Sequence, residues 1–170
     1  MIKKLLLVVA LIAPMCVSAQ KLAVVNSKAV FEAMPEKIEA EEVLNKLSAR
    51  YAEENTKLEK EFNQKYLDFQ RLDGETPKSI KARRIQEIQE NQRKIAAYQQ
   101  MVKEDLAAKR AELLAPIKER IQSVIDSVGV EGGYSIVFDV SKSPVAFKSA
   151  EIEDLTPVVK SRLGIVSKDY

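Results

Sequence analysis

Between Pro35 and Val128 apolar side chains return every three or four residues. On the first half they are Leu44, Leu47, Tyr51, Leu58, Phe62, Tyr66, Phe69 and Leu72, the spacing of one helix face. On the second half Ile85, Ile88, Gln92, Ile95, Gln99, Val102, Leu106, Lys109 and Leu113 alternate steps of three and four, a heptad seam that needs a partner helix. Asp73-Gly74-Glu75-Thr76-Pro77 lies between the two halves. Gly74 suits the residue that ends the first helix, Thr76 an N-cap and Pro77 the first helical position of the second. The spacing predicts an antiparallel helical hairpin over 35–128 with its turn near 73–77. Pro116 cannot donate to the Glu112 carbonyl and so bends or breaks a helix, but the pattern beyond it stays helical and a kink near the base of the hairpin is expected. Apolar positions resume at Ile117, Ile121, Val124, Ile125 and Val128, so that stretch is expected to lie over a small sheet.

The flanks read as strands and short helices. Lys21 to Val25 is a strand with apolar residues on both faces, the pattern of burial from both sides. Asn26 or Ser27 can cap a short helix through Phe31. After Gly132-Gly133, Tyr134 to Asp139 is a second strand. Val145-Ala146-Phe147-Lys148, beyond the turn Ser141 to Pro144, is expected as a third strand in hairpin with it. Ile152, Leu155, Val158, Val159 and Leu163 give a last helix, with Thr156 as cap and Pro157 at its first position. The fold class is therefore α+β: a long coiled-coil-like hairpin projecting from a small strand-bearing body, residues 20–34 and 129–170.

Residues 1–19 look like an export signal, with Lys3 and Lys4 before the apolar run Leu5 to Ala13 and small residues at Val17-Ser18-Ala19. Cys16 offers a lipoprotein alternative, but Met15 is a poor residue before a lipidated cysteine. Cleavage after Ala19 leaves no cysteine, hence no disulfide. Loss of Lys3 and Lys4 brings the 27 basic residues level with the 25 acidic ones. An exported chain with no net charge is not expected to bind nucleic acid. With no histidine the Ser-His-Asp and Cys-His catalytic sets and the usual zinc sites cannot be built. The glycines at 129, 132 and 133 lack the Lys-Ser/Thr ending of a phosphate loop. The sequence thus predicts no catalytic residue, no metal and no cofactor.

A body of so few residues, without disulfide or metal, is too small to be stable alone, and its strands leave edges to be covered. Oligomerisation through the body is expected, with Leu22, Val24, Val25, Ile136, Val137, Phe138, Val145 and Phe147 as its candidate residues. The polar seam residues either fix register or mark legs that part around a wet space. The aromatic series Tyr51, Phe62, Tyr66, Phe69 and Tyr98 packs within the hairpin or offers apolar contact to other chains. Lys78, Lys81, Arg83 and Arg84 precede the first acid of the return leg, Glu87, and form a basic cluster near the tip. That cluster is a solvated face or a patch for anionic partners.

Taken in order, Lys21-Leu22-Ala23-Val24-Val25-Asn26, the long charged hairpin, Gly133-Tyr134-Ser135-Ile136-Val137-Phe138-Asp139 and the closing Ile152-Glu153-Asp154-Leu155-Thr156 resemble the Skp/OmpH family of periplasmic chaperones. The resemblance spans nearly the whole chain after residue 19 and rests on architecture more than on any one motif. It implies a homotrimer with three hairpins hanging from a central body around a cavity. It also implies an ATP-independent holdase of the Gram-negative periplasm that keeps unfolded outer-membrane β-barrel proteins from aggregating. On that reading Leu47, Tyr51, Leu58, Phe62, Tyr66, Phe69 and Tyr98 are client-binding candidates, and the basic tip adds capture of clients, anionic lipid or lipopolysaccharide. The alternative is a structural spacer or docking arm of the cell envelope, without a client.

Overall fold

The computed structural model describes residues 20–165. The export-signal reading falls on residues 1–19, outside the described residues. The chain runs β1 (Leu22–Val25), α1 (Ser27–Glu32), α2 (Pro35–Gln70), α3 (Lys78–Glu131), β2 (Ile136–Asp139), β3 (Glu153–Asp154) and α4 (Thr156–Arg162). At 1.5 Å per residue the 36 residues of α2 and the 54 of α3 reach about 54 Å and about 81 Å. The two pack against each other along the hairpin.

α3 serves two structures at once. Its upper part lies along α2, whereas Ile117, Ile121, Ile125 and Val128 at its base are buried in the body. There they join Ala23 and Val25 of β1, Val30 of α1, Met34, and Leu155, Val159 and Leu163 around α4 in one core. The base of α3 thus supplies four of the eleven buried residues of this core. α3 continues through Pro116 to Glu131, as the apolar positions that resume after the proline predict. The proline removes one hydrogen bond and crowds the Glu112 carbonyl, and the helix is held beyond it by Ile117, anchored in the core one residue on.

The sheet has the order β2-β1-β3, and both pairings are parallel. Central β1 is closed from both faces, with Ala23, Val24 and Val25 all buried, as its unbroken apolar run predicts. The hairpin itself is the crossover that a parallel β1–β2 pair requires. The strand expected at 145–148 does not form. Val145 and Phe147 lie exposed in the loop after β2, Phe147 at 83%. β3 is instead the pair Glu153–Asp154, set in place because Leu155 next to it is 1% exposed and its N–H donates to the Val24 carbonyl at 2.8 Å. Burial of Leu155 thus outweighs the β propensity of Val145 to Phe147.

Caps also differ from expectation. Asn26 caps α1, accepting from the Ala29 N–H at 2.9 Å. α2 ends at Gln70 with Arg71 in right-handed geometry, and Gly74 does not take positive φ. The turn is held by Asp73, whose Oδ1 accepts from both the N–H and the hydroxyl of Thr76 at 2.8 Å. Thr76 is therefore bound back into the turn, and Pro77 precedes α3. At the other end Thr156 opens α4 without capping it: its N–H donates to Asp154 Oδ1 and its hydroxyl accepts from the Asn26 N–H, both at 2.9 Å. Gly133, at φ +66°, gives the left-handed turn from α3 into β2.

Candidate functional site

The hairpin is a two-stranded seam with polar layers. On α2 the inward positions include Leu47, Tyr51, Asn55, Leu58, Phe62, Lys65 and Phe69, all half-buried. On α3 they include Ile88, Asn91, Ile95, Tyr98, Val102 and Leu106. Gln92 and Gln99, expected in the seam, are exposed, and Asn91 and Tyr98 take those places. A seven-residue interval from Ile88 to Ile95 or from Ile95 to Val102 divides as three plus four or four plus three. With polar Asn91 and Gln92 side by side, hydropathy does not choose between them. The polar character of the layer was readable; the residue was not.

Two layers carry the polar groups. In the first, Asn91 is 5% exposed and its Oδ1 accepts from Lys65 Nζ at 3.1 Å, while Lys65 pairs with Glu61 at 2.8 Å. The Lys65 ammonium holds the Glu61 carboxyl below its ordinary pKa. In the second, the rings of Tyr51 and Tyr98 meet edge to face at 6.3 Å. The Tyr51 hydroxyl donates to Asp105, which raises the phenol's pKa, and Gln99 Nε2 donates to Asn55 Oδ1 at 3.3 Å. A cleft of about 230 Å³ opens beside this layer, between Ser48 and Ala52 on one leg and Gln99 and Val102 on the other. The legs thus meet without a continuous dry interface.

The seven aromatic and leucine candidates are brought to one line of the hairpin, but six of them turn toward the opposite leg. Only Tyr66 is exposed, at 45%, and it stacks on Phe62 with centroids 6.2 Å apart. The basic residues all gather on the first turns of α3. Arg83 and Arg84 share Glu87 at 3.0 and 2.8 Å, and together hold its carboxyl below its ordinary pKa. Lys81 reaches the Gly74 carbonyl at 3.4 Å, and Lys78 has no ion pair among the described residues.

In the body Val24 and Val25 belong to the protomer's own core, Val137 packs against that core, and Leu22 is half-buried. Ile136 and Phe138 on β2 are 47% and 44% exposed on a strand that is the edge of the sheet. Asp139 at the end of β2 is a body group that the sequence did not single out. Its carboxylate accepts from the Ser27 N–H and hydroxyl and from the Ser141 N–H and hydroxyl, tying β2 to α1 across more than a hundred residues. Partial burial acts to raise its pKa. The four hydrogen bonds outweigh that and hold the carboxyl well below the usual carboxylate range.

Among the described residues no group of three or more His, Cys, Asp or Glu is placed to hold a metal, and no helix is long and apolar enough to cross a membrane.

Against known proteins, residues 21–163 match the family model for outer membrane protein, OmpH-like. A solved structure of a candidate outer membrane chaperone (OmpH-like) from Caulobacter crescentus CB15 superposes with a TM-score of 0.69 at 12% identity, over 85% of this chain and 83% of that one. The comparison with curated proteins gives no match. The long hairpin, the three-stranded body and a family match over nearly the whole described chain agree, and the chain belongs to the OmpH-like outer membrane protein family.

Proposed function

We propose that the chain is an ATP-independent holdase of the periplasm, exported by way of residues 1–19. In this reading residues 20–34 and 129–165, together with the base of α3 from Ile117, form an oligomerising body, and the rest of the hairpin from residue 35 is an arm. Three copies join through the body, and unfolded outer-membrane β-barrel proteins are kept soluble between the arms.

The observation that carries the proposal is the arm itself. α2 and the upper part of α3 extend beyond the body core, and their seam is interrupted by polar layers. Such a wall presents charged groups along its length, with Tyr66 as its exposed aromatic side chain. A barrel precursor exposes alternating apolar strands that pair with one another in water. Enclosing one precursor among several arms separates it from the next, without a catalytic step or nucleotide. The exposed edge of β2, with Ile136 and Phe138, is a surface a second copy can cover, and Val145 and Phe147 add to it. The basic tip, with Lys78, Lys81, Arg83 and Arg84, supplies attraction for acidic client segments or anionic headgroups.

Light scattering tests the proposal. A urea-unfolded barrel protein is diluted into buffer with and without the chain, and with no nucleotide. Suppressed scattering at a fixed ratio of chain to client is the expected result. Unchanged scattering would move the arms to the role of spacers in an envelope assembly.

A further inference from the structure

On the body, away from the arm, α1, the base of α3 and the loop after β2 enclose a groove of about 280 Å³. Its floor is apolar, made by the Phe31 ring and by Ile121. Its rim carries Lys28, Lys118 and Lys142, which come from three elements far apart in sequence. No acidic residue lines it. Lys142 reaches Asp139 at 3.3 Å, but Lys28 and Lys118 have no ion pair among the described residues. Asp139 is already engaged by Ser27 and Ser141. Lys142 has the ionised Asp139 as its partner, whereas Lys28 and Lys118 stand beside the apolar floor without a counter-charge, and an anion seated there would supply one.

The geometry points to a second binding site here, one that takes the C-terminal end of a polypeptide whose last residue is apolar. The terminal carboxylate would sit among the lysines and the last side chain on Phe31 and Ile121, with the Ser27 hydroxyl at the margin. Capture of a chain end is a recurring mode of peptide recognition, and charge-assisted hydrogen bonds to a carboxylate supply most of its discrimination. The volume favours this occupant over a lipid. The groove lies just under the roughly 300 to 1,000 Å³ of sites that enclose a drug-sized ligand, enough for one side chain and a carboxylate and too little for acyl chains. The proposal rests on the reading of this chain as a binder of unfolded polypeptide, and it adds a chain-end preference to that reading.

Fluorescence anisotropy on the full chain tests it. The probes are a labelled peptide ending in Phe with a free carboxylate, the same peptide as C-terminal amide, and the same peptide ending in Gly. The acid form should bind about tenfold more tightly than either control, a difference that a charged hydrogen bond readily supplies. Its affinity should fall with added salt. Lys118→Glu should abolish the preference, and the double variant Lys28→Ala with Lys118→Ala, which introduces no new charge, should do the same. Vesicles containing phosphatidylglycerol should not displace the acid peptide. Equal binding of acid and amide would overturn the proposal, and so would displacement by the vesicles. The light-scattering assay is run on the same samples. Intact suppression of aggregation together with no acid–amide difference removes this site and leaves the holdase reading in place.

Discussion

Replacing Asn91 with leucine converts the most buried polar side chain of the hairpin into an apolar one. Asn91 is 5% exposed and lies between Ile88 and Ile95 on the seam. Full burial of a leucine side chain contributes about 1.5–3 kcal/mol relative to leaving it in water. Against this, Lys65 loses a hydrogen bond to Asn91 Oδ1, in itself about 1.5 kcal/mol. Lys65 does not stay unpaired, however. It is 34% exposed and keeps Glu61 at 2.8 Å, so water and the carboxylate take over most of that interaction. The balance is a gain of about 1 kcal/mol for Asn91→Leu. Asn91→Ala loses the same bond and leaves a small cavity, so it should cost about 1 kcal/mol. The opposite signs are the signature of a layer that sets register at the expense of stability. Urea denaturation of the full chain gives the totals, and amide exchange along 58–65 and 88–95 shows whether the change resides in the arm. A loss of more than about 1 kcal/mol in Asn91→Leu would refute the reasoning, since the polar layer would then hold the legs together.

Three further outcomes follow from the body and the tip. The carboxyl of Asp139 is shifted downward in the folded chain, so between its folded and unfolded pKa the unfolded chain binds more protons and stability rises with pH. The contribution is complete above about pH 4 and fades as the pH falls below that. Asp139→Ala should cost about 2 kcal/mol near neutral pH in urea denaturation and flatten the acid limb of the stability profile. Leu155→Ala, at a position 1% exposed in the core, should cost about 2–5 kcal/mol in the same measurement and release β3 with α4, seen as faster amide exchange at Leu155 and Val159. Reversing Lys78, Lys81, Arg83 and Arg84 to Glu should weaken client capture at low salt and leave it unchanged at high salt, read by light scattering; an equal effect at both would mean that the tip acts through packing.

Which parts of this structure were legible follows from how local their causes are. The two long helices were read from their periodicity, because an apolar stripe of that length has one solution. The buried strand β1 was read from its unbroken apolar run. The packing of Ile117 to Val128 on the sheet was read from the apolar positions that resume after Pro116. Failures came where distant residues decide. Val145 to Phe147 carries the stronger strand signal, yet Glu153–Asp154 pairs with β1 because Leu155 must enter the core. Asp139 looks like the polar end of a strand until Ser27 is brought to it from 112 residues away. Asn91 and Gln92 are equivalent by pattern and differ only in which one the opposite leg faces. The candidate groove on the body shows the same limit, since Lys28, Lys118 and Lys142 share no segment of sequence.

The measurement that tests the account most directly is the native mass of the chain lacking residues 1–19, alone and after a urea-unfolded outer-membrane protein has been diluted into it. The account predicts a trimer that gains one client and stays soluble. A stable monomer would contradict it, because the uncovered β2 edge and the small body would then need no partner. A trimer that gains no client while the barrel protein precipitates would contradict the holdase function.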